Sequence, residues 1–181
     1  MKNYYSLVRI FILFSFIILF SLSLTCVTSA DFGDIREAIA DTDPGKTITL
    51  QNTTYVGNGS QIPITKSITI QGPNGQYATL DAKGESRIIK TGNNTVVTFR
   101  RIIFKNGFLE GTGAGSAIRA GGQVIIENCT FLNNQGESGT AVFLSPDADN
   151  SRINNCIFKG NKGIYAGEDD WVEGAAIDVH A

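Results

Sequence analysis

The feature that most constrains this chain is a repeat. Phe104, Phe131 and Phe158 are 27 residues apart in each step, and so are Phe99, Ile126 and Ile153, and Ile102, Cys129 and Cys156. The segments are VTFRRIIFKNG at 97–107, VIIENCTFLNN at 124–134 and SRINNCIFKGN at 151–161. A second motif of Gly, two small residues and a β-branched residue recurs at 115–118, 139–142 and 174–177, after steps of 24 and 35 residues. The longer step marks an insertion within 164–173. Several columns kept in one register at a fixed period are the mark of a stacked architecture in which no single repeat can bury its own apolar residues.

The apolar runs within each repeat hold three to five residues, alternate in period two, and are separated by Gly and Asn. They read as strands too short for a sandwich. The expected fold is all-β, a right-handed single-stranded parallel β-helix with a short N-terminal capping helix. Stacking places equivalent residues about 4.8 Å apart. Phe104, Phe131 and Phe158 then form an aromatic ladder, and Ile102, Cys129 and Cys156 an aliphatic–thiol ladder. Asn128 and Asn155 fall between two strands at one phase, where a sharp corner needs left-handed backbone, and are expected to stack at an inner corner. Arg101 replaces Asn one repeat earlier, which limits that ladder to two rungs.

Upstream, 47–51, 67–71, 78–82 and 86–90 read as further strands between Gly- and Asn-rich turns. Before them, Phe32, Ile35, Ala38 and Ile39 share one helical face, with Asp34 as N-cap and Asp43-Pro44-Gly45 as stop. This helix, within 31–45, is expected to cover the first coil, and 46–181 to be the solenoid. The sequence ends on what reads as the start of another coil, which points to a fragment or to a last coil covered by another subunit.

Residues 1–30 differ in kind. Lys2 and Arg9 precede a run of mostly apolar residues at 10–24, and Thr28-Ser29-Ala30 offers small residues at a cleavage site. This is the pattern of a secretory signal, and the run is short for a membrane span. An uncleaved signal-anchor is the alternative. Both place the remainder outside the cytoplasm, at the cell surface or beyond, with membrane attachment only through this segment or a missing C-terminal region. From 31 onward, 13 basic residues face 17 acidic ones, a balance that argues against nucleic acid as partner. The one histidine, His180, excludes a multi-histidine metal site and has no evident partner in the sequence.

The residues resemble those of a known family. The pair GGA(I/L/V) and FxxN marks the repeats of polymorphic outer membrane proteins and related adhesin-like surface proteins. The second form is present at 131–134 and 158–161, while 104–107 departs at Gly107. The first form is imperfect, with Ser116 and Thr140 in place of the second Gly. The opening, a helix followed by TITL, SITIQG, TLDAKG and IIFKNG, is similar to adhesin-like β-helix proteins of methanogenic archaea. The resemblance implies a long exported protein held at the cell surface. It specifies fold better than function.

The same fold class includes polysaccharide lyases and glycosidases, which need grouped carboxylates on one face. Asp147 and Asp149 lie in a loop that reads as a solvated turn. Asp81 reads as a turn or strand-edge residue, and Arg100, Arg101 and Lys105 as a solvated strand face. Glu168, Asp169, Asp170 and Glu173 around Trp171 form an acidic insertion that reads as a solvated loop, with a cation site or a sugar-stacking platform as the alternative and Trp171, Asp169 and Asp170 as candidate ligand contacts. No Ser/His/Asp or Cys/His constellation can be assembled. No catalytic residue, metal or cofactor is therefore assigned. For Cys129 and Cys156 the favoured reading is a reduced packing ladder, because in-register neighbours point the same way; a disulfide stays open. Sequons occur at Asn52, Asn58, Asn93 and Asn128, of which Asn58 and Asn93 lie in turns. The leading expectation is a non-enzymatic adhesin-like surface protein. It would bind a host or neighbouring-cell glycan or protein through loops at 107–115 and 164–173. A polysaccharide lyase or glycosidase, and a structural spacer, are the alternatives.

Overall fold

The computed structural model describes residues 29–110, 113–164 and 176–180. The strands fall in five rungs. The first holds β1 (Thr47–Thr49), β2 (Thr54–Val56) and β3 (Ile62–Ile64). The second holds β4 (Ile68–Gln71), β5 (Ala78–Asp81) and β6 (Ile89–Thr91). The third holds β7 (Val96–Arg100), β8 (Ile102–Lys105) and β9 (Ile118–Ala120). The fourth adds a short piece: β10 (Gln123–Glu127), β11 (Thr130–Leu132), β12 (Gln135–Gly136) and β13 (Val142–Leu144). The fifth repeats it with β14 (Arg152–Asn154), β15 (Ile157–Lys159), β16 (Lys162–Gly163) and β17 (Ile177–Val179). Strands of successive rungs pair in parallel, giving three five-stranded sheets and the two-stranded β12–β16 sheet of a right-handed solenoid.

The 27-residue columns are in register. Phe131 pairs with Phe104 and Phe158, and Ile126 with Phe99 and Ile153. The rings of Phe104 and Phe131 stack at 5.0 Å and those of Phe131 and Phe158 at 4.8 Å, nearly parallel. Phe99 meets Phe104 edge-on at 5.5 Å. The second motif also aligns: Val142 pairs with both Ile118 and Ile177 despite the unequal steps. Alternation sends one side chain of each pair inward, so the apolar residues of the first four rungs merge into one core.

Helix α1 (Phe32–Asp41) buries Phe32, Ile35 and Ile39 in that same core. Its N-cap is Asp31, not Asp34. The Asp31 carboxylate accepts the backbone N–H groups of Gly33 and Asp34, while the Asp34 carboxylate accepts that of Asp31. This reciprocal capping box satisfies donors that a helix start otherwise leaves open. Arg36 donates to the Ser60 and Gln61 carbonyls and to Asn58 Oδ1. Lys66 donates to the carbonyls of Ala40 and Thr42 at the other end of the helix. The helix is thus tied to the first rung at both ends.

Strands β2 and β3 were not anticipated, and the strand expected at 86–90 begins only at Ile89. The asparagine corner also needs correction. Asn128 and Asn155 have φ of +53° and +51°, the left-handed backbone expected, and Asn155 Nδ2 donates to Asn128 Oδ1. Both side chains are exposed, however, so this ladder lies outside the core and Asn128 is open to solvent. Arg101 keeps the corner at φ +52° and turns its guanidinium back to the carbonyls of Gly72 and Pro73.

The buried amide column is Asn134 and Asn161, the last positions of the two FxxN motifs. Asn134 is fully buried. Its Oδ1 accepts the Gly107 N–H at 2.8 Å, and its Nδ2 donates to the Phe104 carbonyl at 3.2 Å and to Asn161 Oδ1 at 2.9 Å. Asn161 Nδ2 donates in turn to the Phe131 carbonyl at 3.1 Å. One side-chain amide per rung satisfies backbone groups that the turn leaves unpaired. Gly107 ends the column because a Cβ there would lie 2.4 Å from the Ser116 carbonyl oxygen.

Cys129 and Cys156 are free thiols in equivalent positions, the first buried and the second half-buried. The hydrogen bond that Cys129 shares with Cys156, and then burial, hold the Cys129 thiol far above its ordinary range. The same hydrogen bond lowers Cys156 to about 7.

Candidate functional site

The three corners of the solenoid differ. At the first, between sheets one and two, the connections shrink to Arg101 alone in the third rung. At the third corner the longest connection is 145–151. At the second corner they are 57–61, 82–88, 106–117, 133–141 and 160–176. Extra length is therefore concentrated on one edge of the rod, where it leaves strand pairing undisturbed. Loops held on a rigid frame are where binding residues concentrate.

Two cavities at this edge adjoin the 106–117 connection. The first, about 600 Å³, lies between 59–63, 85–87 and 108–110. It presents Gln61, Glu85, Arg87 and Glu110 beside Phe108 and Leu109. Arg87 Nε and Nη2 donate to the carbonyls of Gly115 and Ala114, and Nη1 to Gln61 Oε1. Burial, and then the nearby Arg119, lower its pKa to about 10, so it stays a cation at neutral pH. Its role is to pin the 106–117 connection to the rung below. Ser86 Oγ is buried on this cavity without a hydrogen-bond partner among the described residues.

The second cavity, about 560 Å³, lies on the other side of Phe108. Phe108, Gln135 and Lys162 form a column across three rungs, since Phe108 bridges to Gln135 and Gln135 pairs with Lys162. The Phe108 N–H donates to the Ser86 carbonyl and the Leu109 N–H to the Gln135 carbonyl, which fixes the ring as the wall between the cavities. Lys83 also lines this cavity, at φ +56°, in the left-handed backbone that Asn106 and Asn133 share.

Close to this edge, Asp81 accepts from Lys105 Nζ at 3.0 Å, Asn106 Nδ2 at 2.8 Å and the Lys83 N–H at 2.9 Å. Burial raises its pKa, but those three partners outweigh burial and hold the carboxyl below its ordinary value. It is a structural clamp rather than a bare strand-edge group.

Other expected residues separate. Arg100 pairs with Glu127 at 2.6 Å. Asp147 accepts from Asn93 Nδ2 at 3.1 Å on the third corner, away from these cavities, and Asp149 is exposed nearby. His180 has a partner after all: Nε2 lies 3.1 Å from Asp178 Oδ2, and the ring packs on Phe143 at 4.9 Å. Trp171, Asp169 and Asp170 lie outside the described residues, as do positions 1–28. Among the described residues no group of three or more His, Cys, Asp or Glu side chains could hold a metal ion, and no helix is long and apolar enough to cross a membrane.

The family model for the right-handed β-helix region matches residues 40–177. The chain belongs to the right-handed β-helix family. The match begins near the end of α1 and runs to β17, so it covers every rung of the solenoid. No curated protein and no solved structure matches the chain. In this β-helix protein the residues at the second corner were the ones sequence reasoning half found. The 107–115 loop was singled out, but Lys83 and Gln135 were not. Their signal is positional, one residue in each of several rungs at one corner, and it appears only once the rungs are aligned.

Proposed function

We propose that this β-helix protein is an exported, adhesin-like surface protein that works by binding, not catalysis, and that the second corner is its ligand-facing edge. The observation that carries this reading is that the three longest connections, 106–117, 133–141 and 160–176, and two cavities share one edge, with Phe108 lining both cavities. An aromatic face flanked by polar side chains suits a saccharide, whose C–H faces stack on the ring while its hydroxyls take hydrogen bonds. Export rests on the basic start, apolar run and small residues of 1–30. N-terminal sequencing of protein recovered outside cells should begin at Asp31.

The test is binding of the purified protein to cells and to a glycan array. The wild type should bind and Phe108→Ala should lose most of the signal while keeping its circular dichroism spectrum. Unchanged binding by Phe108→Ala would remove the corner from the site, and absence of any binding would leave the spacer reading. A polysaccharide lyase or glycosidase is the second reading, favoured by Glu85 and Glu110 on one cavity. Release of oligosaccharides, abolished by Glu85→Gln or Glu110→Gln, would put it first.

A further inference from the structure

The two cavities flanking Phe108 are opposite in character. The first carries Glu85 and Glu110, and Arg87, its one cation among the described residues, already donates to two carbonyls and an amide oxygen. Among the described residues the second is lined by Lys83 and Lys162 and by no carboxylate, in a chain with more acidic than basic residues. Both lysines are exposed and line the cavity. Of the two carboxylates nearest Lys83 in sequence, Asp81 is already paired with Lys105 and Glu85 lines the first cavity. No hydrogen bond or ion pair occupies either lysine ammonium among the described residues. Lining the same cavity are the Phe108 ring and the exposed Gln135 amide, about one strand spacing apart along the column.

We infer that the second cavity is a site for an anionic saccharide. One sugar ring stacks on Phe108, Gln135 takes an amide or hydroxyl of the same or the next ring, and Lys83 and Lys162 hold the carboxylate or sulfate. The physical case is charge placement. Two ammonium groups that line one concave site give it a positive potential that favours an anion. The carboxylates of the first cavity repel the same ligand, so the charge contrast across Phe108 fixes which way it lies. The column supplies one contact per rung, so a linear ligand is read along the rod axis. This inference rests on the glycan-binding reading and narrows it to a charge class.

Titration calorimetry of the full chain with three tetrasaccharides tests it: hyaluronan (carboxylate), chondroitin sulfate (carboxylate and sulfate) and chitotetraose (neutral). The two charged probes should bind, with the better one naming the anionic group, and the neutral one should bind at least about tenfold more weakly. Lys83→Ala with Lys162→Ala should lower charged-probe affinity by about tenfold or more and leave chitotetraose unaffected, and added salt should weaken only the charged probes. Both substitutions are at exposed positions, so an unchanged circular dichroism spectrum is expected. Equal binding of charged and neutral probes, or full affinity in the double variant, would overturn the assignment and leave glycan binding standing. Binding of none of the three also overturns it, and the cell-binding assay with Phe108→Ala then judges the broader reading on its own.

Discussion

Phe131→Ala is the most informative perturbation of the frame. Phe131 is fully buried and stacked on both faces, at 5.0 Å by Phe104 and 4.8 Å by Phe158. Removing a buried phenylalanine ring costs about 3–5 kcal/mol through lost transfer energy and the cavity left behind. Two offset stacks at about 0.5–1.5 kcal/mol each place this site at the upper end. Whole domains are stable by only about 5–15 kcal/mol, so the variant should unfold at a much lower urea concentration or not fold at all. Phe158→Ala is the internal control. Phe158 stacks on Phe131 through one face and is only half-buried, so its truncation should cost roughly half as much. Urea titration followed by circular dichroism compares the two midpoints directly. Equal losses, or a Phe131→Ala loss under about 1 kcal/mol, would refute the continuous-ladder argument. Phe131→Asp, which puts a carboxylate in the same place, should abolish folding.

Three further outcomes follow from side chains that hold the coils together. Asn134→Ala leaves the Gly107 N–H and the Phe104 carbonyl without their side-chain partner and should cost about 2–4 kcal/mol by urea titration, whereas Asn155→Ala at the exposed corner should cost under about 1. Asp81 has a folded pKa below its ordinary value of 3.8, so its contribution to stability is complete above that value and is lost as pH falls through the folded pKa. Asp81→Asn should therefore flatten the fall in thermal midpoint on acidification, and an unchanged acid limb would refute its clamping role. Cys156, lowered to about 7 and half-buried, should react with a thiol reagent in the native state, while Cys129 should react only on unfolding. Two fast thiols lost together on Cys156→Ser would contradict the burial order.

The fold was legible where steps between rungs were equal. From Phe99 onward the first two sheets advance by 27 residues, because the second corner shortens from 106–117 to 133–141 while the third lengthens from 121–122 to 145–151, and the changes offset. Upstream, Ile48, Ile70 and Phe99 align in one column, yet the steps between them are unequal, so the period vanishes and β2 and β3 go unseen. Period alone also cannot tell inside from outside. Asn128 and Asn134 both recur 27 residues later, at Asn155 and Asn161, and only the path of the backbone shows which amide enters the core. The same limit applies at the helix start, where Asp31 and Asp34 are both good caps by composition and the geometry uses both. The candidate site was the least legible part. Lys83, Phe108, Gln135 and Lys162 belong to four connections of different length, so no spacing in the sequence announces that they meet.

The unequal steps carry a practical consequence. Ile118, Val142 and Ile177 pair in one register although 24 residues separate the first two and 35 the last two. Length at the second corner is therefore decoupled from alignment: residues gained or lost there change the contour of one edge without shifting a single core side chain to the wrong face. Insertion and deletion, which scramble most β proteins, become at this corner an ordinary route of variation. A randomised peptide placed there should leave the rod intact, which makes the protein a ready display scaffold with a frame and an editable margin.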